Sequence, residues 1–81
     1  MIKNVLVVGC MGHIGFSVAK HIASQKINVF GFYNKTTDKF KISILKKLNV
    51  KLIKNDLSDP KKTINIIKKF KITDCIYASA I

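Results

Sequence analysis

Arginine is absent from these 81 residues, so all 15 basic side chains are lysine, set against four aspartates. The formal charge of +11 suggests a nucleic-acid or acidic-surface partner. Arginine, however, is the side chain suited to bidentate phosphate and guanine contacts, and its absence argues against that class. The lysines are also dispersed, from Lys3 and Lys20 through Lys39 and Lys54 to Lys69. Ile and Asn are abundant too, so the lysine excess reads as compositional bias over a solvated surface. No nucleic-acid partner is expected. A basic nucleic-acid-associated protein would instead bind DNA with strong salt dependence, unaffected by Gly12→Val.

Long apolar runs are missing as well. Val5 to Val8 is the longest, far short of the ~20 residues that cross a bilayer, and no membrane partner is expected. Val7-Val8-Gly9-Cys10 has the look of a lipid-attachment box, but a secretory signal needs an apolar core of about 7–15 residues before it, and only four stand there. Cysteine is scarce: Cys10 and Cys75 are too few for a disulfide framework. Placed at the far end of one strand and the near end of its neighbour, they lie roughly 15 Å apart at ~3.3 Å per residue. A disulfide requires alpha carbons within about 7 Å, so two free thiols in a reducing, cytoplasmic compartment are expected. Proline occurs once, at Pro60, and all four glycines fall within the first 31 residues.

What remains is a regular alternation of apolar and amphipathic segments. Asn4 to Val8 is β-branched and apolar on both faces, the pattern of a buried parallel strand. From His13 to Ser24, Ile14, Val18 and Ile22 recur every four residues beside Ala19 and Ala23, one face of a helix. Asn28 to Tyr33 reads as a second strand. Asp38 to Leu48 places Phe40, Ile44, Leu45 and Leu48 on one helical stripe. Val50 to Ile53 forms a short third strand. Asp59 and Pro60 start a third helix, a capping carboxylate followed by a residue with no N–H to satisfy. That helix runs to about Phe70 with Ile64, Ile67 and Phe70 inward, and Thr73 to Ala80 supplies a fourth strand. The order β-α-β-α-β-α-β implies an α/β fold with right-handed crossovers and a parallel sheet. A Rossmann-type half places its four strands in the order 3-2-1-4 with helices on both faces, and a ligand at the carboxyl ends of strands one and four.

Gly9-Cys10-Met11-Gly12-His13-Ile14-Gly15 joins the first strand to the first helix. A G-x-x-G-x-x-G spacing alone is weak, but in this context it carries a mechanism. Gly9 permits the tight turn, Gly12 lets backbone approach a pyrophosphate, and Gly15 lets the helix pack closely on the sheet. The helix start then offers free N–H groups and partial positive charge to the phosphates.

The spacing resembles that of the extended short-chain dehydrogenase/reductase family, which includes NAD-dependent nucleotide-sugar epimerases and dehydratases. The resemblance runs from Val5-Leu6-Val7-Val8-Gly9 through Asn55-Asp56-Leu57-Ser58-Asp59 to Tyr77-Ala78-Ser79-Ala80. It implies a nicotinamide dinucleotide held by Gly9, Met11, Gly12, His13, Ile14 and Gly15, with Asp56 and Leu57 at the adenine and Ala78, Ser79 and Ala80 beside the nicotinamide half. It also implies epimerase, dehydratase or reductase chemistry on a nucleotide sugar or similar carbonyl/alcohol substrate. Two departures bear on this. Val8 replaces the threonine usual before the first glycine. The acidic residue that NAD-specific members carry at the end of strand two is replaced by Tyr33-Asn34-Lys35. Loss of that carboxylate removes the repulsion against a 2′-phosphate and Lys35 attracts one, so NADP is favoured over NAD, with Asn34 and Lys35 at the ribose. Asp38 is read as a helix cap. His13 and His21 have no Cys or carboxylate spaced to complete a metal site, and Cys10 has no visible base.

The Tyr-x-x-x-Lys pair of the family is absent: Thr37 stands four residues after Tyr33, and Ile81 four after Tyr77. The chain therefore reads as the N-terminal part, residues 1–81, of one truncated NAD(P)-binding domain without its catalytic half. A non-catalytic dinucleotide sensor is the second reading, favoured if downstream sequence also lacks the pair. A fourth strand left as a bare sheet edge favours self-association, a homodimer included. Sedimentation or light scattering is expected to show concentration-dependent assembly; a monodisperse, cooperatively unfolding monomer would contradict this.

Overall fold

Residues 3–35 and 37–78 are described by the computed structural model. Seven elements follow in order: β1 (Asn4–Val8), α1 (His13–Ala23), β2 (Asn28–Tyr33), α2 (Lys39–Lys47), β3 (Lys51–Lys54), α3 (Pro60–Lys69) and β4 (Asp74–Tyr77). The strands form one parallel sheet in the order β3-β2-β1-β4, as the alternating pattern predicts. Val8 pairs with Phe32 on one side and Tyr77 on the other, so the carboxyl ends of β2, β1 and β4 are level.

β1 is buried on both faces because the crossovers cover both. Val5 and Val7 pack with Val29, Ala19 and Leu45 beneath α1 and α2, while Leu6, Val8 and Phe32 pack with Ile66 and Ile67 of α3. Full burial of each such side chain stabilises by about 1.5–3 kcal/mol, which makes β1 the anchor of both layers. Asp38 caps α2, its Oδ1 accepting from the N–H groups of Phe40 and Lys41 at 3.0 and 3.2 Å. Asp59 caps α3 through the N–H of Lys62 at 3.1 Å, with Pro60 opening the helix. With no glycine beyond residue 31, the left-handed positions that close α2 and α3 fall on Asn49 (φ 64°) and Lys71 (φ 52°). The following N–H groups of Val50 and Ile72 bond back to Leu45 and Ile67, completing the six-residue helix closure.

Three expected inward residues face solvent instead. Phe40 is 72% exposed because the buried stripe of α2 centres on Leu45, and five residues at 3.6 per turn put Phe40 about 140° away. Ile64 is 49% exposed because α3 turns Ile66 and Ile67 to the sheet. Ile14 is exposed for the same reason of phase, with Gly15 and Ala19 inward in its place. β3 is shifted one residue from the expected span, and β4 ends at Tyr77. No helix of the described residues is long and apolar enough to cross a membrane.

Both cysteines are free, Cys10 buried and Cys75 exposed. The Cys10 side chain fills the space over Gly31, where an added Cβ would lie 2.8 Å from its sulfur, and its thiol donates to the Phe32 carbonyl at 3.3 Å. The adjacent helix start does not activate this thiol; burial pushes its pKa up to about 11 from 9.0. A thiol with a raised folded-state pKa leaves stability intact below pH 9, and that stability falls as pH rises towards 11. The chemical denaturation midpoint is therefore expected to decline over this window by the equivalent of about 2 kcal/mol, and Cys10→Ala is expected to flatten the decline. An unchanged slope in the variant would contradict the assignment.

Candidate functional site at the switch point

Between β1 and α1 the chain reverses within four residues. Gly9 adopts φ 86°, a left-handed conformation that side chains disfavour. Its N–H and that of Cys10 both donate to the Phe32 carbonyl at 3.2 Å, tying the turn to the end of β2. Gly12 N–H returns to the Gly9 carbonyl at 3.1 Å, and Phe16 N–H to Gly12 at 2.9 Å. A Cβ on Gly15 would enter the Gly9 carbonyl, so glycine there is a packing requirement of the turn.

Gly12 is different. Its φ of −74° is open to any residue, and an added Cβ would lie 3.4 Å from Gly9 O, an ordinary contact. The fold alone does not demand glycine at this position, whereas an anion resting on the turn does. Gly12 is also the N-cap of α1 and supplies no side-chain cap, in contrast to Asp38 and Asp59 on the other two helices. The first-turn N–H groups of α1, from His13 to Gly15, thus have neither an intrahelical nor a capping partner among the described residues.

Two hollows flank this turn. One, of about 200 Å³, lies at the ends of β1, β2 and β3 and is lined by Gly9, Tyr33, Asn34, Asn55, Asp56 and Leu57 among others. The other, a broader groove of about 470 Å³, runs between α1 and β4 past Gly12, His13, Ile14, Val18, Ile76 and Ala78. Ile14, displaced from the core, therefore forms part of a groove wall.

The structure places Gly9, Asn34, Asp56 and Leu57 at the smaller hollow and Gly12, His13, Ile14 and Ala78 at the groove, whereas Gly15 is buried against the Gly9 carbonyl and the exposed Lys35 lines neither hollow. Met11 has its side chain in the core and offers only backbone. Ser79 and Ala80 lie outside the described residues. Asp56 is exposed, and its Oδ1 accepts the N–H of Ser58 at 2.9 Å. That hydrogen bond, with the charges of Lys35 and Lys62 added, holds its carboxyl below the ordinary value. Asp38 is committed to its cap and leaves the end of β2 without a carboxylate from that source. Among the described residues no cluster of three or more His, Cys, Asp or Glu could hold a metal.

Sequence reasoning missed two residues. Lys41 lies on the inward stripe of α2 and reaches the glycine turn, its Nζ donating to the Met11 carbonyl at 2.8 Å and lying 5.5 Å from the centre of the Phe16 ring. A lysine four residues before the buried Leu45 is a readable signal, since an inward lysine requires an acceptor. Asn55 is 3% exposed; its Nδ2 donates to Thr63 Oγ1 at 2.9 Å, and its Oδ1 has no partner among the described residues. A buried orphan acceptor of this kind costs about 1–3 kcal/mol.

A doubly covered parallel sheet of this order, with a glycine turn at its switch point, is a Rossmann-type fold. The model of the NmrA-like family matches residues 1–80, and the chain belongs to that family. Among solved structures it is similar to isoflavone reductase, with 20% identity over 99% of this chain and 28% of the other, at a TM-score of 0.83. It is also similar to leucoanthocyanidin reductase from Vitis vinifera, solved as a binary complex with NADPH: 18% identity, 96% and 27% coverage, TM-score 0.81. A 3-oxoacyl-[acyl-carrier protein] reductase from Brucella melitensis is 20% identical over 100% of this chain and 35% of that one, with a TM-score of 0.73. At these identities the likeness is one of fold, and the chain spans 28% of the length of the first of these proteins. No curated protein matches it by sequence.

Gly15→Ala is expected to lower stability by about 3 kcal/mol, because backbone rather than a flexible side chain must yield. Gly12→Ala is expected to change it by less than about 1 kcal/mol. Equal losses in urea denaturation would show that the two glycines do not differ in this way.

Proposed function

We propose that the chain binds NADP or NAD across the glycine turn, as the cofactor-holding half of a reductase-type enzyme. The observation that carries this reading is an uncapped helix start between two hollows, the smaller against Gly9 and the larger against Gly12. The residues fit the cofactor in three respects: free first-turn N–H groups for a diphosphate, no Cβ at Gly12, and a hollow on each flank of the turn. Gly9, Gly12, His13, Ile14 and Gly15 hold the diphosphate through backbone. Asp56 and Leu57 take the adenine side, and Ala78, Ser79 and Ala80 take the nicotinamide side.

NADP is the preferred form. The end of β2 carries Asn34 and Lys35 where an acidic residue would repel a 2′-phosphate, and Lys41 brings a second cation to the turn. The cofactor, when bound, supplies hydride chemistry; the residues of this chain orient it and exclude water from its diphosphate. Reduction of a carbonyl is favoured among the reactions that the resemblance implies, because the similar solved proteins are named as reductases. Epimerase or dehydratase action on a nucleotide sugar rests on the resemblance alone. The Tyr-x-x-x-Lys pair that would handle the proton is not among these 81 residues.

Fluorescence titration is expected to show NADPH binding more tightly than NADH. Lys35→Met should weaken NADPH by about tenfold and leave NADH nearly unchanged, since a charge-assisted hydrogen bond contributes about 1.5–3 kcal/mol. Gly12→Val should abolish both without unfolding the chain. NADH binding as tightly as NADPH would overturn the cofactor preference, and intact binding in Gly12→Val would overturn the site.

A further inference from the structure

The peptide group that joins Met11 to Gly12 leads directly into α1, and the protein holds it at both ends. Its N–H, from Gly12, donates to the Gly9 carbonyl at 3.1 Å. Its carbonyl, from Met11, accepts from Lys41 Nζ at 2.8 Å. In a planar trans peptide these two groups point in opposite directions, so the two bonds together fix the plane. Lys41 is itself held in place. Its backbone N–H donates to the Asp38 cap at 3.2 Å, the residue is half-buried, and its ammonium lies 5.5 Å from the centre of the Phe16 ring. Without that ammonium, the Met11 carbonyl would be an uncompensated partial negative charge beside the uncapped helix start.

We propose that Lys41 is a positioning residue for the diphosphate: by engaging the Met11 carbonyl it keeps that oxygen from turning towards the anion and holds the entry to α1 in its receiving shape. The inference rests on the binding of a dinucleotide at this turn and adds the side chain that shapes the turn for it. Lys41 acts through Met11, so its effect falls on the diphosphate, which NADPH and NADH share. Lys35, at the end of β2, acts on the 2′-phosphate of NADPH alone.

Fluorescence titration of the 81-residue chain with each dinucleotide separates these roles. Lys41→Met, which keeps the side-chain length without the donor, should weaken both NADPH and NADH by about tenfold, the scale of one hydrogen bond to a charged group. Lys41→Gln, shorter and uncharged, should do the same, and it takes the place of Lys41→Met if circular dichroism shows that variant unfolded. Lys41→Arg, which still donates to Met11, should bind both within about threefold of the wild type. Lys20→Met removes an equal charge 5.2 Å from the same Phe16 ring and should leave binding unchanged. Without ligand, the Met11 carbonyl carbon resonance should shift in Lys41→Met and return in Lys41→Arg. Unchanged binding in a folded Lys41→Met, a loss confined to NADPH, an equal loss in Lys20→Met, or an unmoved Met11 resonance overturns the role of Lys41 while cofactor binding stands. Failure of the wild type to bind either dinucleotide overturns both readings.

Discussion

At Gly9 and Gly15 two backbones lie too close to admit a side chain between them, and the geometry of the switch point depends on that contact. Because Gly15 has no side chain, α1 can start directly against the carbonyl of the residue that ends the β1 turn. That contact aims the helix start between the ends of β1 and β4 and leaves its first N–H groups uncovered. A side chain at Gly15 would push the helix away from the turn that lies between the two hollows. Close packing and the open helix start thus come from one constraint, while Gly12, which packing does not require, leaves room for the proposed ligand.

The rest of the molecule holds that turn still. β1 is clamped by apolar side chains on both faces, and the turn after it is tied to the Phe32 carbonyl by two N–H groups and the Cys10 thiol. α2 contributes Leu45 to the core below and Lys41 to the turn above. The aspartate caps on α2 and α3 show by contrast what is withheld from α1. Helices that serve only packing have their starts satisfied by the protein's own carboxylates. The helix at the switch point does not.

Much of this was legible in the sequence because its local signals agree with one another. Strand spans came from β-branched apolar runs, and helix starts from Asp38 and Asp59-Pro60, features set by neighbours along the chain. Helix phase was harder. In α2 and α3, of nine and ten residues, an apolar residue one position off the stripe is hard to tell from one on it, and Phe40 and Ile64 were misplaced for that reason. Lys41 and Asn55 needed the tertiary structure, since the acceptor of one lies 30 residues away and the donor chain of the other passes through a separate helix. The branch of the family was not legible either: the glycine turn and the segments matched with it speak for the broad group, and the NmrA-like assignment came from the match over residues 1–80.

The central claim is that the bare start of α1 receives the diphosphate of a nicotinamide dinucleotide. Backbone amide resonances followed during NADPH addition test it most directly. The account predicts that the largest shifts fall on the amides of Gly12, His13, Ile14 and Gly15, with smaller ones at Asn34 and Asn55. Shifts spread over the lysine-rich outer faces of α2 and α3, with the turn unmoved, would contradict it.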